Sequence, residues 1–216
     1  MMSPPRARVL ADGDDLRKHL IKVTARLLAG HGLEGLTTRR IARAAGVADG
    51  VLYNHFADRD DLILAGLLSH TAAVADAFEA SCPQPGSGTL EHNLAEIAQA
   101  LLTVQRALLV LFAGLIGKRA LLARFIEQLH TPAVGGPDRI IGGVHSYLEA
   151  ERRLGRIDAD AEAHIVGILL FAITQLQALV TQLQAPDAPI SIEDEMVTPI
   201  VSFLVANLTA THDRRS

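Results

Sequence analysis

Between Thr37 and Arg59 the sequence gathers side chains that can hydrogen-bond to phosphates and to the edges of bases. Arginine can hold guanine O6 and N7 with two parallel hydrogen bonds. Tyrosine and asparagine can bond to phosphate oxygens, which fix a protein on a duplex. The polar positions of this segment are Thr38, Arg39, Arg40, Arg43, Tyr53, Asn54, His55 and Arg59.

A second set of residues in the same segment must position the polar ones. Apolar residues recur at helical spacing on both sides of Gly46, a residue type that often ends helices. They are Ile41, Ala42, Ala45, Val47, Leu52 and Phe56. Two short helices that are apolar on one side and polar on the other are typical of a helix-turn-helix. The alternative is a helical hairpin within a bundle that binds no DNA.

Helical spacing continues along the whole chain without convincing strand alternation, so we predict an all-α fold. The first helix is predicted over residues 14–31. Thr37 is expected to cap the second helix, which ends at Gly46. A third helix is predicted over residues 48–56, and Asp58 is expected to cap a long fourth helix.

Five further helices are predicted after a Pro/Gly-rich break that follows Cys82. Their ranges are 89 to 111 or 117, 118–130, 138–153, 159–184 and 191–208. Ser191 with Asp194 resembles a capping box. Pro199 is expected either to kink the last helix or to mark its true start. Residues 1–11 are predicted to form a flexible arm.

Charge is distributed unevenly along the chain. The formal net charge is −4, with a balance of +4 over residues 1–56 and −8 over residues 57–216. A basic first quarter on an acidic remainder fits contact with nucleic acid at the N-terminal end only.

Composition favours a soluble cytoplasmic protein. The single cysteine, Cys82, leaves no intrachain disulfide, and the opening residues lack the features of a secretory signal. Of two apolar runs, residues 107–117 are shorter than the roughly 20 residues that a spanning helix needs. Residues 164–180 contain His164, Gln175 and Gln177. We therefore predict buried helices and no membrane association.

Catalytic and metal-binding patterns are missing from the sequence. None of the nine histidines has a second histidine three or four residues further on, and the lone cysteine has no ligand nearby. No nucleophile–base arrangement and no phosphate-binding glycine motif is present. We expect no enzyme activity, no catalytic residue, no metal site and no cofactor.

The chain resembles TetR-family transcriptional regulators over residues 16–62. The resemblance lies in the order and spacing of Gly35-Leu36-Thr37-Thr38-Arg39, Ile41-Ala42, Ala45-Gly46-Val47, Leu52-Tyr53-x-His55-Phe56 and Arg59. It implies a three-helix DNA-binding domain over residues 1–57 and a larger helical domain for ligand binding and dimerisation over residues 58–216. The helix that begins at residue 58 would link the two.

The resemblance also implies roles for single residues. Thr38 and Arg39 would contact DNA from the second helix, while Tyr53, His55 and Arg59 would contact phosphates. The positions expected to face the major groove are Asp49, Gly50, Val51 and Asn54. Two positions depart from the family pattern. Ala48 stands where a serine cap is common, and Asp49 brings a negative charge towards DNA.

For the larger domain we expect a dimer interface and an effector pocket. The interface is predicted from two apolar stripes, Ile165, Ile168, Leu169, Ala172, Leu176 and Leu179 in one helix and Val201, Leu204, Val205 and Leu208 in the next. The alternative is that both stripes fill the core of the subunit. The pocket is predicted from Gln105, Phe112, Tyr147, Phe171 and Gln175.

Together these features predict a homodimeric repressor that a small lipophilic effector releases from a palindromic operator in double-stranded DNA. Two alternatives remain open at this point. One is a ligand-dependent activator, and the other is a helical small-molecule-binding protein or enzyme that does not bind DNA.

Overall fold

The computed structural model describes residues 13–131, 134–158, 162–183 and 197–209. Within these ranges it contains eight α-helices, one 3₁₀ helix (Asp49–Asn54) and no strand, so the predicted all-α class is confirmed. The α-helices are α1 (Gly13–His31), α2 (Thr38–Ala45), α3 (Arg59–Ser81), α4 (Leu90–Ile116), α5 (Arg119–Leu129), α6 (Gly136–Arg153), α7 (Ala163–Leu183) and α8 (Val197–Thr209).

Three helices begin where a side chain satisfies a backbone N–H of the first turn. The Thr37 hydroxyl accepts from Arg40 N at 3.2 Å before α2. The Asp58 carboxylate accepts from Asp61 N at 2.7 Å before α3. The Thr89 hydroxyl accepts from His92 N at 3.2 Å before α4. Because a helix leaves its first N–H groups without internal partners, these caps account for the predicted starts.

The third helix was predicted over residues 48–56 and is present, but it is shorter than predicted and is not an α-helix. The structure has a 3₁₀ helix over Asp49–Asn54 instead. Ala48 precedes it in an extended conformation and supplies no side-chain cap. Gly50 raises the conformational entropy cost of helix formation, and β-branched Val51 adds to it. These six residues, which lack a side-chain cap, therefore form a 3₁₀ helix, a type that occurs mainly in short segments.

Some predictions fall outside the described residues. These are the arm over residues 1–11 and the Ser191–Asp194 capping box. Pro199 lies in the first turn of α8 as described, where its missing N–H breaks no helical hydrogen bond.

The helices pack into two compact units. The first comprises Met1–Ala73 and Val110–Val134, and the second comprises Val74–Leu109 and Gly135–Ser216. Helices α3 and α4 therefore contribute to both. The predicted functional division at residues 57 and 58 stays a prediction.

The core of the first unit joins the helix-turn-helix to the end of α4 and to α5. Leu36, Ile41 and Leu52 are buried together with Leu115 and Phe125. Thus α5 packs with the helix-turn-helix although some 65 residues separate them in sequence.

Helices α1 and α3 of this unit approach each other closely at Gly66 of α3, where an added Cβ would lie 2.5 Å from Cγ2 of Thr24 on α1.

The core of the second unit is built by α4, α6, α7, α8 and the end of α3. Three residues predicted for the dimer interface, Val201, Leu204 and Leu208, are buried in this core. The chain itself covers them, as in the alternative that the stripe of α8 fills the core of the subunit. Val205 is half-buried against the same core. The large apolar side chain that α8 exposes is Phe203.

A buried carboxylate fixes the loop between α3 and α4 within the second unit. Glu151 is fully buried, and its Oε1 accepts from the Tyr147 hydroxyl at 2.5 Å and from Gly86 N at 3.2 Å. Arg156 lies 3.2 Å from Glu151 Oε2 and also donates to the carbonyl of Gly88 at 2.8 Å. Burial and the bond to Glu151 raise the pKa of Tyr147.

Helices α3, α4 and α7 are long and apolar enough to cross a membrane, judged by length and composition alone. Each of them contributes buried side chains to a helical core. This packing gives their apolar composition a role inside the protein.

The contact at Gly66 yields a test of the first unit's packing. We expect Gly66→Ala to destabilise the protein by about 1–3 kcal/mol, because the new methyl group overlaps Thr24. Gly30→Ala is the matched control, since no atom lies within 4 Å of its added Cβ. It should stabilise α1 by about 0.5–1 kcal/mol through helix propensity. Urea unfolding followed by circular dichroism measures both, and equal effects would contradict the close contact.

Candidate nucleic-acid interface

The helix-turn-helix is shaped by the two ends of α2. Thr37 is extended at its start, with φ −103° and ψ 155°. At its end Gly46 adopts the left-handed conformation with φ 72°, and its N–H points to the carbonyls of Ala42 and Arg43. A side chain at this φ would be strained, so glycine suits the turn that leads into the 3₁₀ helix.

The turn places the predicted DNA-binding residues on the accessible side of the unit. Arg39, Asp49, Gly50, Tyr53 and Asn54 are exposed, whereas Thr38, Val51, His55 and Arg59 are half-buried. Tyr53 is 58% exposed, which excludes a role as a packing aromatic within this chain. On the opposite side Ile41, Ala42, Leu52 and Phe56 are buried.

Arg59 has a structural role that the sequence did not reveal. Its Nε and Nη2 donate to the carbonyl oxygen of Leu36 at 3.1 and 2.6 Å, and its Nη1 lies 3.4 Å from Asp60 Oδ1. These bonds tie the start of α3 to the residue just before the Thr37 cap. A phosphate contact by Arg59 stays a prediction.

Three further contacts hold α1, α3 and α5 around the interface. An imidazole nitrogen of His19 on α1 lies 3.2 Å from the carbonyl oxygen of Ala45. The Arg17 guanidinium lies 5.1 Å from the centre of the Phe56 ring. Arg124 of α5 donates to Asp61 of α3 at 2.6 Å. These contacts hold the helices around the exposed residues in place, which favours precise recognition.

The residues predicted for an effector pocket are distributed over both units. Phe112 belongs to the first unit and packs edge-on against Phe125, with ring centres 5.7 Å apart. The other four lie in the second unit. There Gln105 donates from Nε2 to the carbonyl of Phe171 at 3.0 Å, while its buried Oε1 has no hydrogen-bond partner. Gln175 is half-buried on α7.

Each unit has a cleft. In the first, a cleft of about 590 Å³ is lined by residues of the α1–α2 loop and the α4–α5 corner, among them Leu33, Gly35, Arg59, Gly114 and Lys118. In the second, a cleft of about 420 Å³ is lined by Glu79, Cys82, Pro83, Gln84, Pro85, Ser146 and Tyr147. Because the Tyr147 hydroxyl already donates to Glu151 and accepts from Asn93 at 2.9 Å, it offers this cleft mainly its ring.

The apolar stripe predicted on α7 is solvent-exposed. All six of its residues, Ile165, Ile168, Leu169, Ala172, Leu176 and Leu179, are exposed, and Leu176 reaches 62%. No three His, Cys, Asp or Glu side chains among the described residues lie together in a group that could hold a metal ion.

Comparison with known proteins finds sequence similarity in the helix-turn-helix region. A family model described as "Bacterial regulatory proteins, tetR family" matches residues 20–65. The transcriptional repressor AcnR of Corynebacterium glutamicum is 35% identical over 60 residues, which are 28% of this chain and 32% of AcnR. The transcriptional repressor KstR2 of Rhodococcus jostii is 40% identical over 62 residues, 29% of this chain and 30% of KstR2. The match thus spans about a third of these relatives' length.

Comparison of whole structures extends the likeness of fold to nearly the entire chain. A crystal structure from Mesorhizobium loti, described as a TetR-family transcriptional regulator, covers 90% of this chain and 94% of its own with a TM-score of 0.65. Its sequence identity of 19% makes this a likeness of fold. The helix-turn-helix region therefore matches the TetR-family model in sequence, and the helical architecture as a whole is similar in fold to TetR-family structures.

Proposed function

We propose that this protein is a homodimeric transcriptional repressor that binds a palindromic operator and is released from it by a small lipophilic ligand. The observation that carries the proposal is the helix-turn-helix, with a buried apolar side and an exposed side bearing Arg39, Tyr53 and Asn54. The names of AcnR and KstR2 as repressors support the direction of regulation.

In this proposal the exposed side divides its contacts between phosphates and bases. Thr38 and Arg39 contact DNA from the start of α2, and Tyr53 and His55 contact phosphates. Asp49, Gly50, Val51 and Asn54 lie on the 3₁₀ helix and face the major groove. Asp49 suits cytosine, whose N4 amino group donates to a carboxylate, while Val51 suits the methyl group of thymine. Arg59 adds a phosphate contact through those guanidinium N–H groups that are not hydrogen-bonded to the Leu36 carbonyl.

Arg39 offers the sharpest test of DNA recognition. We expect Arg39→Ala to weaken binding to the DNA upstream of the chain's own gene by about 1–3 kcal/mol if Arg39 reads a base. Arg153→Ala is the matched control, because it removes the same charge from an exposed position in the second unit. Fluorescence anisotropy at one fixed salt concentration measures both. Unchanged binding by Arg39→Ala would remove its assigned role.

The proposed dimer uses the exposed apolar face of α7. A contiguous run of exposed Ile and Leu side chains is costly in water and marks an interaction surface. Phe203 of α8, which is 67% exposed, joins the proposal in place of the buried Val201, Leu204 and Leu208. A two-fold dimer sets its recognition elements about 34–36 Å apart, which matches one turn of DNA.

A charge on the α7 face should break this dimer. We expect Leu176→Asp to give monomers in native mass spectrometry, because a carboxylate would lose its hydration in an apolar interface. Ile126→Asp on α5 is the control, since Ile126 is also exposed and lies in the first unit. The substitution at Leu176 leaves the buried core intact, so loss of folding is not expected. A variant that stays dimeric would refute the α7 interface.

The proposed effector binds in the second unit and alters DNA affinity through α3, which contributes to both units. Gln105, Tyr147, Phe171 and Gln175 lie in that unit, whereas Phe112 lies in the first unit and is not part of the proposed site. The buried Oε1 of Gln105 lacks a donor, which favours a neutral, largely apolar ligand that carries one hydroxyl or N–H group. Preferential binding to the DNA-free conformation would shift the population away from the operator complex.

We propose no catalytic role and place the protein in the cytoplasm with the DNA that it regulates. Native mass spectrometry of freshly purified protein tests the effector proposal. A co-purified organic molecule that lowers operator affinity when added back is the expected result, and a molecule that leaves operator affinity unchanged would contradict release by ligand.

A further inference from the structure

Two histidines far apart in sequence meet between α6 and α7. The ring centres of His145 and His164 lie 5.5 Å apart, with the ring planes at 89°. Both residues lie on regular helices that approach each other closely, since an added Cβ at Gly167 would lie 3.6 Å from Cγ1 of Val144. The helical backbones therefore hold the two imidazoles near each other.

The separation of the rings is short enough for both imidazoles to bind one metal ion. In a tetrahedral zinc site each imidazole nitrogen lies about 2.0–2.1 Å from the ion. The centre of an imidazole lies about 1.1 Å behind that nitrogen, so two coordinated rings have centres about 5 Å apart. The observed 5.5 Å is close to this value. Side-chain rotation would aim the nitrogens at one ion with little movement of the helices.

The surroundings of the pair also suit a metal. The Nδ1 atom of His145 is buried without a hydrogen-bond partner, so coordination competes with no existing bond there. His164 is exposed and gives an ion access from solvent. Buried polar atoms are nearly always paired in native proteins, which makes an orphaned ligand atom beside a second ligand informative.

We propose that His145 and His164 form a binding site for a divalent transition metal ion, with water completing the coordination. Imidazole ligands suit Cu²⁺, Ni²⁺ and Zn²⁺, which bind nitrogen more strongly than Mn²⁺ or Fe²⁺. The bound ion links α6 to α7 and stabilises the second unit. The site is independent of the DNA-binding side chains and of the effector proposal.

Titration calorimetry with Zn²⁺ or Ni²⁺ on the full chain without a histidine tag tests the site. We expect one ion per chain and a rise in the melting temperature on metal addition. His164→Gln should weaken binding at least about tenfold and abolish the rise, since even loss of a ligand's outer partner costs 10–100-fold. Because His164 is exposed, this variant should fold normally, and circular dichroism checks that it does.

His92→Gln is the matched control. His92 is an exposed histidine that lies 3.4 Å from Glu96, and this pair is the competing site. Its substitution should leave metal affinity and stoichiometry unchanged. Absence of metal binding by the unsubstituted protein, unchanged binding by His164→Gln, or a loss in His92→Gln would each overturn the proposal.

Discussion

Two hydrogen bonds from the Arg59 guanidinium to the carbonyl oxygen of Leu36 close the helix-turn-helix. Leu36 is buried, and its successor Thr37 caps α2. The guanidinium therefore fixes the point at which α2 leaves the preceding loop. A charged donor on a carbonyl makes a stronger hydrogen bond than a neutral one. Every contact that α2 offers to a ligand depends on this junction and on the left-handed turn at Gly46.

Caps and turns were predictable from the sequence because their chemistry is local. Thr37, Asp58 and Thr89 each satisfy an N–H group three residues away, so spacing alone identifies them. The polar and apolar sides of the helix-turn-helix follow from the same short-range geometry. The 3₁₀ type of the third helix was not predicted, because Ala48 and Gly50 weaken an element whose type a few tenths of a kilocalorie per mole can decide.

Contacts between residues far apart in the chain leave no comparable spacing pattern in the sequence. Arg59 meets Leu36 across 23 residues, and His145 of α6 meets His164 of α7. Likewise, an apolar stripe on a helix predicts burial without naming the covering partner. The stripes of α7 and α8 looked alike in sequence, yet Leu204 is covered by its own chain whereas Leu176 is exposed. Only the packing of the second unit distinguishes them.

The 3₁₀ helix has a consequence for how much information the protein can extract from DNA. A 3₁₀ helix rises about 2.0 Å per residue, so the six residues of Asp49–Asn54 span about 12 Å. Base pairs are stacked about 3.4 Å apart, so in the proposed DNA contact this length would face three or four of them. A base sequence of three or four pairs recurs by chance about once per hundred base pairs, and a genome offers millions of competing positions. In the proposed dimer, selectivity would then require two such short base sequences at a fixed distance, so the spacing of the two subunits would contribute more to specificity than any single side chain.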